Sequence, residues 1–398
     1  MDRVRLRIPA GDSTKEVEMN ALAKLDAHLR SRLRDLSKAK EQGHKIIGYP
    51  AGGYLPEELI LACDAVPLCF IQAGNNTVLR NSGAYICRWF DPFWRSQVGY
   101  LSSGKDPYYS IVDLIVVPIT DNHVRAFSNT VGFYTPEIES FVFGVPHVKD
   151  KVALEYYRGG IARLKKRLED FTGVEITESR LKRSIELCDR ERELFREIST
   201  MRKRRNVTVS GMDFVTLNHG SFLADKETMV GILEQFIEEA KDASLVLKDA
   251  PRILFTGSTL ARGDSKVMDI VSDCGGLIVM EEFAEGIRPY WNSVKVDGDL
   301  ITCLSEAYFM DRICPGWFRP GTERLDLLIK LAREYNASGL IWYQLLYRES
   351  YKVESYFFPG ILKKQTGLPM LVLESEYDAM ETGPMRTRIE TFMETIRG

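Results

Sequence analysis

At 398 residues the chain is longer than a single hydrophobic core usually spans, which points to two or three domains. A composition of 44% hydrophobic and 27% charged residues is ordinary for globular proteins, and a net charge of −3 gives no overall pull toward nucleic acid or anionic membrane. No apolar run approaches the roughly 18 residues that a membrane span needs, and the opening MDRVRLRIPAGDSTKEVEM has no apolar signal core, so a cytoplasmic location is expected.

Leu22, Leu25, Leu29, Leu33 and Leu36 recur at three- and four-residue steps and predict an amphipathic first helix, with Gly43 as its stop; residues 1–44 read as an N-terminal helical segment. From residue 45 the pattern changes to short apolar runs. KIIGYP, VPLCFIQ, DLIVVPIT and SFVFGVP read as buried strands, with a helix beginning at PEELILACDA and Pro56 in its first turn. Residues 45–150 therefore form a first α/β domain. Residues 151–250 lack such strands: Ile161, Leu164, Leu168 and Phe171, then Leu181, Ile185 and Cys188, keep helical period, and GVEIT separates the two helices. Between 151 and 205 stand 16 Lys or Arg against 10 Asp or Glu, ending in MRKRRN; this is either a solvated helix end or a patch for an anionic ligand or partner. From 251 to 398 strand–helix alternation returns, with strands at RILFTGS, GLIVMEEF, GLIWYQLLY and PMLVLESE and helices at SKVMDIVSDCG, ERLDLLIKLAREYNA and MRTRIETFMETIRG. The expected fold is α/β, with two parallel-sheet domains and a helical segment between them.

The seven cysteines (63, 69, 87, 188, 274, 303 and 314) include no C-x-x-C pair, and an odd count in a chain this long argues against a disulfide framework. Most should be small buried hydrophobes. No P-loop, no G-x-G-x-x-G after the first strand, no H-E-x-x-H and no G-x-S-x-G occur. The five histidines do not cluster in sequence; His123, just past a strand end, is the one placed for chemistry, although a solvated loop histidine is the better reading there. Ligands of open α/β sheets bind beyond the carboxyl ends of the strands. Here those ends are YPAGGY, ITDNH, TGSTLARGDSK, EEFAEGIR, LLYRES and ESEYD, and they should face a cleft between the two domains.

These loops, in this order, are similar to those of the 2-hydroxyacyl-CoA dehydratase and benzoyl-CoA reductase subunit family. LPEELILACDAVP resembles the family's P-x-E-L-I-x-A-x-G-x-x-P, with Asp64 where glycine is usual. FDPFWRSQVGY resembles C-P-L-x-K-S-x-x-G-F, ITDN resembles T-C-D-G, and RTRIETFMETI resembles the closing T-R-x-x-A-F-x-E helix. The resemblance runs from about residue 45 to the end. It implies two flavodoxin-like domains, pairing with a related subunit, an acyl-CoA substrate, an ATP-dependent activator, and a 4Fe–4S cluster held by three cysteines per subunit.

The three cysteine positions that the resemblance implies fall here on Asp91, Thr120 and Arg348. Thiolates are the usual ligands of cluster iron, whereas a hydroxyl is a poor ligand and a guanidinium is none. The expectation is a chain with no metal or cluster of its own beside a cluster-bearing partner, with Asp91 and Arg348 pairing in the vacated volume; the alternatives are a homo-oligomer that binds or converts acyl-CoA without redox chemistry, and a structural or regulatory paralogue. If the pocket still takes an acyl-CoA, Glu58, Asp91 and His123 are the candidates to move protons. Trp94, Arg95, Ser96, Thr120, Asp121 and Arg348 are then the candidates to contact substrate. Each has a plainer reading: Glu58 as a carboxylate favouring a helix start, Trp94 as a core aromatic, Ser96 as a turn or helix residue.

Overall fold

Successive side chains of a strand point to opposite faces of its sheet. In this chain both faces are apolar, so both must be covered. The computed structural model describes residues 20–104, 106–242, 250–315 and 317–397. The opening segment read for a signal core, and most of the stretch before the second α/β domain, lie outside these residues. In the second half Ile253, Phe255, Ile341 and Tyr343 pack on one side of the sheet, while Leu254, Leu340 and Trp342 pack on the other.

The first half follows a helix, α1 (Asn20–Glu41), and contains β1 (Ile46–Pro50), α2 (Glu57–Ala62), β2 (Val66–Phe70), α3 (Asn76–Asn81), α4 (Pro92–Ser103), α5 (Pro107–Ser110), β3 (Leu114–Ile119), α6 (Asn122–Tyr134) and β4 (Glu139–Gly144). Four helices follow: α7 (Lys151–Thr172), α8 (Glu178–Met201), α9 (Gly211–Ser221) and α10 (Lys226–Asp242). The second half contains β5 (Arg252–Gly257), α11 (Lys266–Asp273), β6 (Leu277–Glu282), α12 (Leu300–Ser305), α13 (Glu323–Glu334), β7 (Gly339–Leu345), α14 (Glu349–Thr366), β8 (Met370–Ser375) and α15 (Thr382–Arg397). Both sheets are parallel, with orders β2-β1-β3-β4 and β6-β5-β7-β8. The two halves thus share one flavodoxin-like winding, in which the sheet order reverses beside the first strand of each half.

Local chemistry explains the boundaries. Pro92 and Pro107 open α4 and α5, where a missing N–H costs nothing, and Asp91, Asp106, Asp121 and Asp150 cap the helices that follow them. The GVEIT break between α7 and α8 is a glycine in the left-handed region (Gly173, φ 72°) followed by the N-cap Thr177. Helix α14 contains Pro359 in its interior, a breaker that hides the helix from a sequence reading.

The intervening helices tie the halves together. Helix α8 packs along α2 and α10, α1 packs on α9 and α10, and α9 packs on β6. Backbone bonds also join the halves: Arg262 N donates to Ile71 O (3.0 Å) and Arg319 N to His147 O (2.8 Å). The basic run MRKRRN is partly spent inside this joint. Arg202 is fully buried and pairs with Glu281 at 2.7 Å, and Lys203 pairs with Glu334 at 2.6 Å.

Candidate functional site

The carboxyl ends of both sheets open on one cleft. Ala51 and Gly52 after β1, Thr120 after β3, Thr259 after β5, Glu285 after β6 and Arg348 after β7 line a single cavity of about 50 Å³, with Trp94 of α4 and Trp317 on its wall. Strand-end loops singled out in the sequence therefore converge from two sheets.

Arg348 is the centre of the polar cluster. It starts α14 directly after Tyr347, which holds the left-handed conformation (φ 64°) that non-glycine residues seldom adopt. Its Nε lies 3.0 Å from Asp91 Oδ2 and its Nη1 lies 3.2 Å from Asp121 Oδ2. Both carboxylates also cap helices. Asp91 Oδ1 accepts from Phe93 N (2.6 Å) and Trp94 N (3.3 Å), and Asp121 Oδ1 accepts from His123 N (2.8 Å) and Val124 N (3.2 Å). Thr120 Oγ1 donates to Asp121 Oδ2 at 3.1 Å. His123 Nδ1 accepts from Asp91 N at 3.4 Å, and its Nε2 lies 3.7 Å from Glu349 Oε2. The sequence candidates Asp91, Thr120, Asp121, His123 and Arg348 thus form one connected group.

One guanidinium serves two carboxylates, and they share it unequally. Burial pushes the Asp91 carboxyl above its usual range, against the pull of Arg348. Burial acts on Asp121 too, but Arg348 and the α6 backbone amides outweigh it and hold that carboxyl below its usual range. Burial works against the Arg348 charge as well, and Asp121 and Asp91 overcome it. The 3.0 Å Asp91–Arg348 contact is Coulombic rather than an aligned hydrogen bond, since neither Asp91 Oδ2 nor Arg348 Nε has a hydrogen-bond partner. Two cation–π contacts, to Trp317 and Tyr351, complete the seat of the guanidinium.

The other candidates stand apart. Arg95 turns away from the cavity; its guanidinium donates to Arg88 O (3.0 Å) and Leu79 O (3.2 Å). Ser96 is fully buried and donates to Pro92 O at 2.8 Å inside α4, so neither lines the substrate space expected of it. Trp94 does reach the cavity wall while packing on Phe93 and Phe127. Glu58 lies outside this cavity: it is fully buried, accepts from Arg192 at 2.6 Å and from Tyr308 at 2.9 Å, and cross-braces α2 to α8. An acid at a helix start reads the same in sequence whether it faces a cavity or a distant arginine.

Glu285 is the residue that sequence reasoning missed. Three glutamates share the EEFAEGIR loop, and only long-range partners tell them apart. Glu281 is paired by Arg202, and Glu282 by Arg288 (2.9 Å) and Arg324 (2.8 Å). Glu285 has no ion pair among the described residues. It accepts one hydrogen bond, from Leu260 N at 3.2 Å, and burial raises its pKa to about 7.

Comparison with known proteins agrees with this architecture. A sequence profile described as the D-component of 2-hydroxyglutaryl-CoA dehydratase matches residues 53–396. The chain belongs to that family. Among relatives, it is 25% identical over 362 residues to the provisionally named dehydratase subunit YjiM of Escherichia coli (strain K12). It is 21% identical over 361 residues to the (R)-phenyllactyl-CoA dehydratase beta subunit of Clostridium sporogenes, and 22% over 375 residues to a subunit of benzoyl-CoA reductase from Thauera aromatica. In all three the match covers 90% of this chain and 93% of the relative.

Membership raises the question of a 4Fe–4S cluster. The three positions that the resemblance assigns to cysteine ligands do gather in one place, but they offer a carboxylate, a hydroxyl and a guanidinium. The guanidinium has N–H donors only, and it fills the space between the two carboxylates. Cys87, four positions before Asp91, is exposed, and Cys63, Cys69, Cys188, Cys303 and Cys314 are buried elsewhere. Among the described residues no three His, Cys, Asp or Glu side chains group as metal ligands. This donor set does not fit the cluster.

Proposed function

We propose that this chain is the cluster-lacking subunit of a heteromeric 2-hydroxyacyl-CoA dehydratase or benzoyl-CoA reductase-like enzyme. It forms part of the acyl-CoA cleft beside a related subunit that carries the 4Fe–4S cluster, and an ATP-dependent activator serves that partner. The observation that carries the reading is the Asp91–Arg348–Asp121 arrangement: fixed, buried charges hold the positions where soft ligands are expected in a cluster-bearing member. An acyl-CoA thioester end placed in the cavity meets the Arg348 guanidinium, a hydrogen-bond donor to an oxygen, beside Thr120, whose hydroxyl proton is held by Asp121. Asp91 and Asp121 orient the guanidinium, and His123 braces the Asp91 backbone. Glu285, close to half-protonated at neutral pH, is the group suited to give or take a proton there. Trp94 limits the water that reaches it.

An exposed apolar face supports the partner. Val353, Tyr356, Phe357 and Ile361 lie on one side of α14 and are solvent-facing in the single chain. Among the described residues no helix is long and apolar enough to cross a membrane, and a cytoplasmic location goes with this reading.

Co-purification at native expression tests the proposal, with iron and acid-labile sulfide measured on the complex and on this chain alone. Iron and sulfide confined to the partner agree with it; stoichiometric iron and sulfide in the isolated chain, handled without oxygen, overturn it. A second reading, non-redox acyl-CoA conversion by a homo-oligomer, is favoured by Glu285 alone. It is supported only if a colourless, partner-free protein binds CoA esters.

A further inference from the structure

Among the described residues Arg312 is a buried cation without an anion. It is 6% exposed, and its Nε and Nη2 have no hydrogen-bond partner. The guanidinium lies between the rings of Tyr54 (5.6 Å) and Tyr308 (5.5 Å). The carboxylates nearby are already taken: Glu57 and Glu191 by Lys226 (2.7 and 2.8 Å), and Glu58 and Asp189 by Arg192 (2.6 Å each). A guanidinium deprived of water and of a counter-charge is costly to bury, and burial pulls its pKa down while its neighbours Tyr54, Tyr308, Tyr157 and Cys314 offer phenols and a thiol, not a carboxylate.

Those two nitrogens are themselves covered, but the residue borders open space. Arg312 lines a cavity of about 60 Å³ with Gly52, Gly53, Asn218, Lys226 and the two carboxylates that Lys226 pairs, Glu57 and Glu191; the space is several times what one water requires. A smaller cavity beside it is walled by three arginines, 192, 288 and 312, and by no carboxylate. The loop after β1 is shaped for this guanidinium. Gly53 has φ 75°, and a Cβ there would stand 1.8 Å from Arg312 Nη2, whereas a Cβ on Gly52 would meet nothing within 4 Å.

We propose that Arg312 anchors a buried oxyanion-binding site that takes a carboxylate or a phosphate group. Gly52 and Gly53 line both this cavity and the one at Arg348, so the two spaces share a wall. Resting on the acyl-CoA reading above, one ligand spans that wall, with its reacting end at Arg348 and Glu285 and an oxyanion at Arg312.

The test needs neither partner nor acyl-CoA, so its failure is distinct from failure of that reading. The full chain is titrated with inorganic phosphate and, separately, with succinate, at constant ionic strength, and thermal unfolding and calorimetric binding are recorded. The expected result is saturable stabilisation by at least one of them, weakened about tenfold or more in Arg312→Met and retained in Arg34→Met, which removes an exposed arginine of α1 remote from both cavities. Response to phosphate alone assigns the site to a phosphate group; response to succinate alone assigns it to a carboxylate; response to both leaves it a general oxyanion site. Should Arg312→Met not fold, Arg312→Lys is used, with weakened but measurable binding expected. No saturable response in the unaltered chain, or an undiminished response in the Arg312 variant, overturns the proposal.

Discussion

Asp91 does two jobs at once. One oxygen caps α4, and the other, fully buried, faces Arg348. A substitution series separates these. Asp91→Asn keeps an acceptor for the α4 amides and leaves Asp121 with Arg348, so it should cost about 1 kcal/mol. Asp91→Ala loses the cap as well and should cost roughly 2–3 kcal/mol. Arg348→Met leaves two buried carboxylates without a cation and should be the most destabilising, on the order of 3–5 kcal/mol. Urea unfolding of the unaltered protein and the three variants checks that order. Glu285 carries a pH signature of the opposite kind. Its pKa rises from 4.5 to about 7 on folding, so the folded state binds the extra proton. The stability this lends is complete below about pH 4.5 and is lost as pH rises through about 7, on the order of 3 kcal/mol in all. Glu285→Gln should remove that slope from the unfolding free energy between those limits; an unchanged slope would show that the carboxyl is solvated.

At the scale of elements, the helices that carry the site are held by charges that the site does not use. Helix α8 runs between the two α/β halves and reaches out with Arg192 to Glu58, while Arg202 at its end reaches Glu281, both pairs buried. Breaking a buried pair from one side leaves the other charge stranded, so Glu58→Gln should cost roughly 2 kcal/mol, softened by the Asp189 and Tyr308 that remain beside Arg192. The readout that separates a brace from a proton carrier is the activity of the proposed complex corrected for folded fraction. A brace leaves it near that of the unaltered protein; a proton carrier lowers it by about 100-fold or more. Much at this scale is legible without coordinates. The strand at KIIGYP, the helix stop at GVEIT and the leucine period of α1 are local signals, complete within a few residues. Helix α14 is not, because Pro359 contradicts it, and only the packing of Tyr351, Phe358 and Leu362 into the core with β7 and α13 outweighs that cost.

For the whole molecule, the decisive feature is that two sheets of the same winding present their carboxyl ends to each other. Neither half contains the site: Asp91, Thr120 and Asp121 come from the first, Arg348 and Glu285 from the second. The exposed apolar face of α14 begins at the rim of this cleft, since Arg348 starts that helix. Tyr356→Glu and Phe357→Glu change side chains that are mostly solvent-facing, so unfolding should shift by no more than about 0.5 kcal/mol. Co-purification of the proposed partner subunit should nonetheless fall sharply, because a charge desolvated at an interface costs several kcal/mol. Unaltered recovery of the partner would place the interface elsewhere.

Short apolar runs, turn residues and capping acids determined by themselves where strands and helices form and that the sheets are parallel and covered on both faces. The order of the strand-end loops was enough to mark the family, and the resemblance places Asp91, Thr120 and Arg348 where it implies cysteine. Only the tertiary structure decided which acid meets which cation. Glu58, Glu281, Glu282 and Glu285 are alike in sequence, and Arg95, Arg312 and Arg348 are too. Their fates diverge because a charge's energy depends on neighbours within a few ångströms in space, and those neighbours lie dozens to hundreds of residues away along the chain.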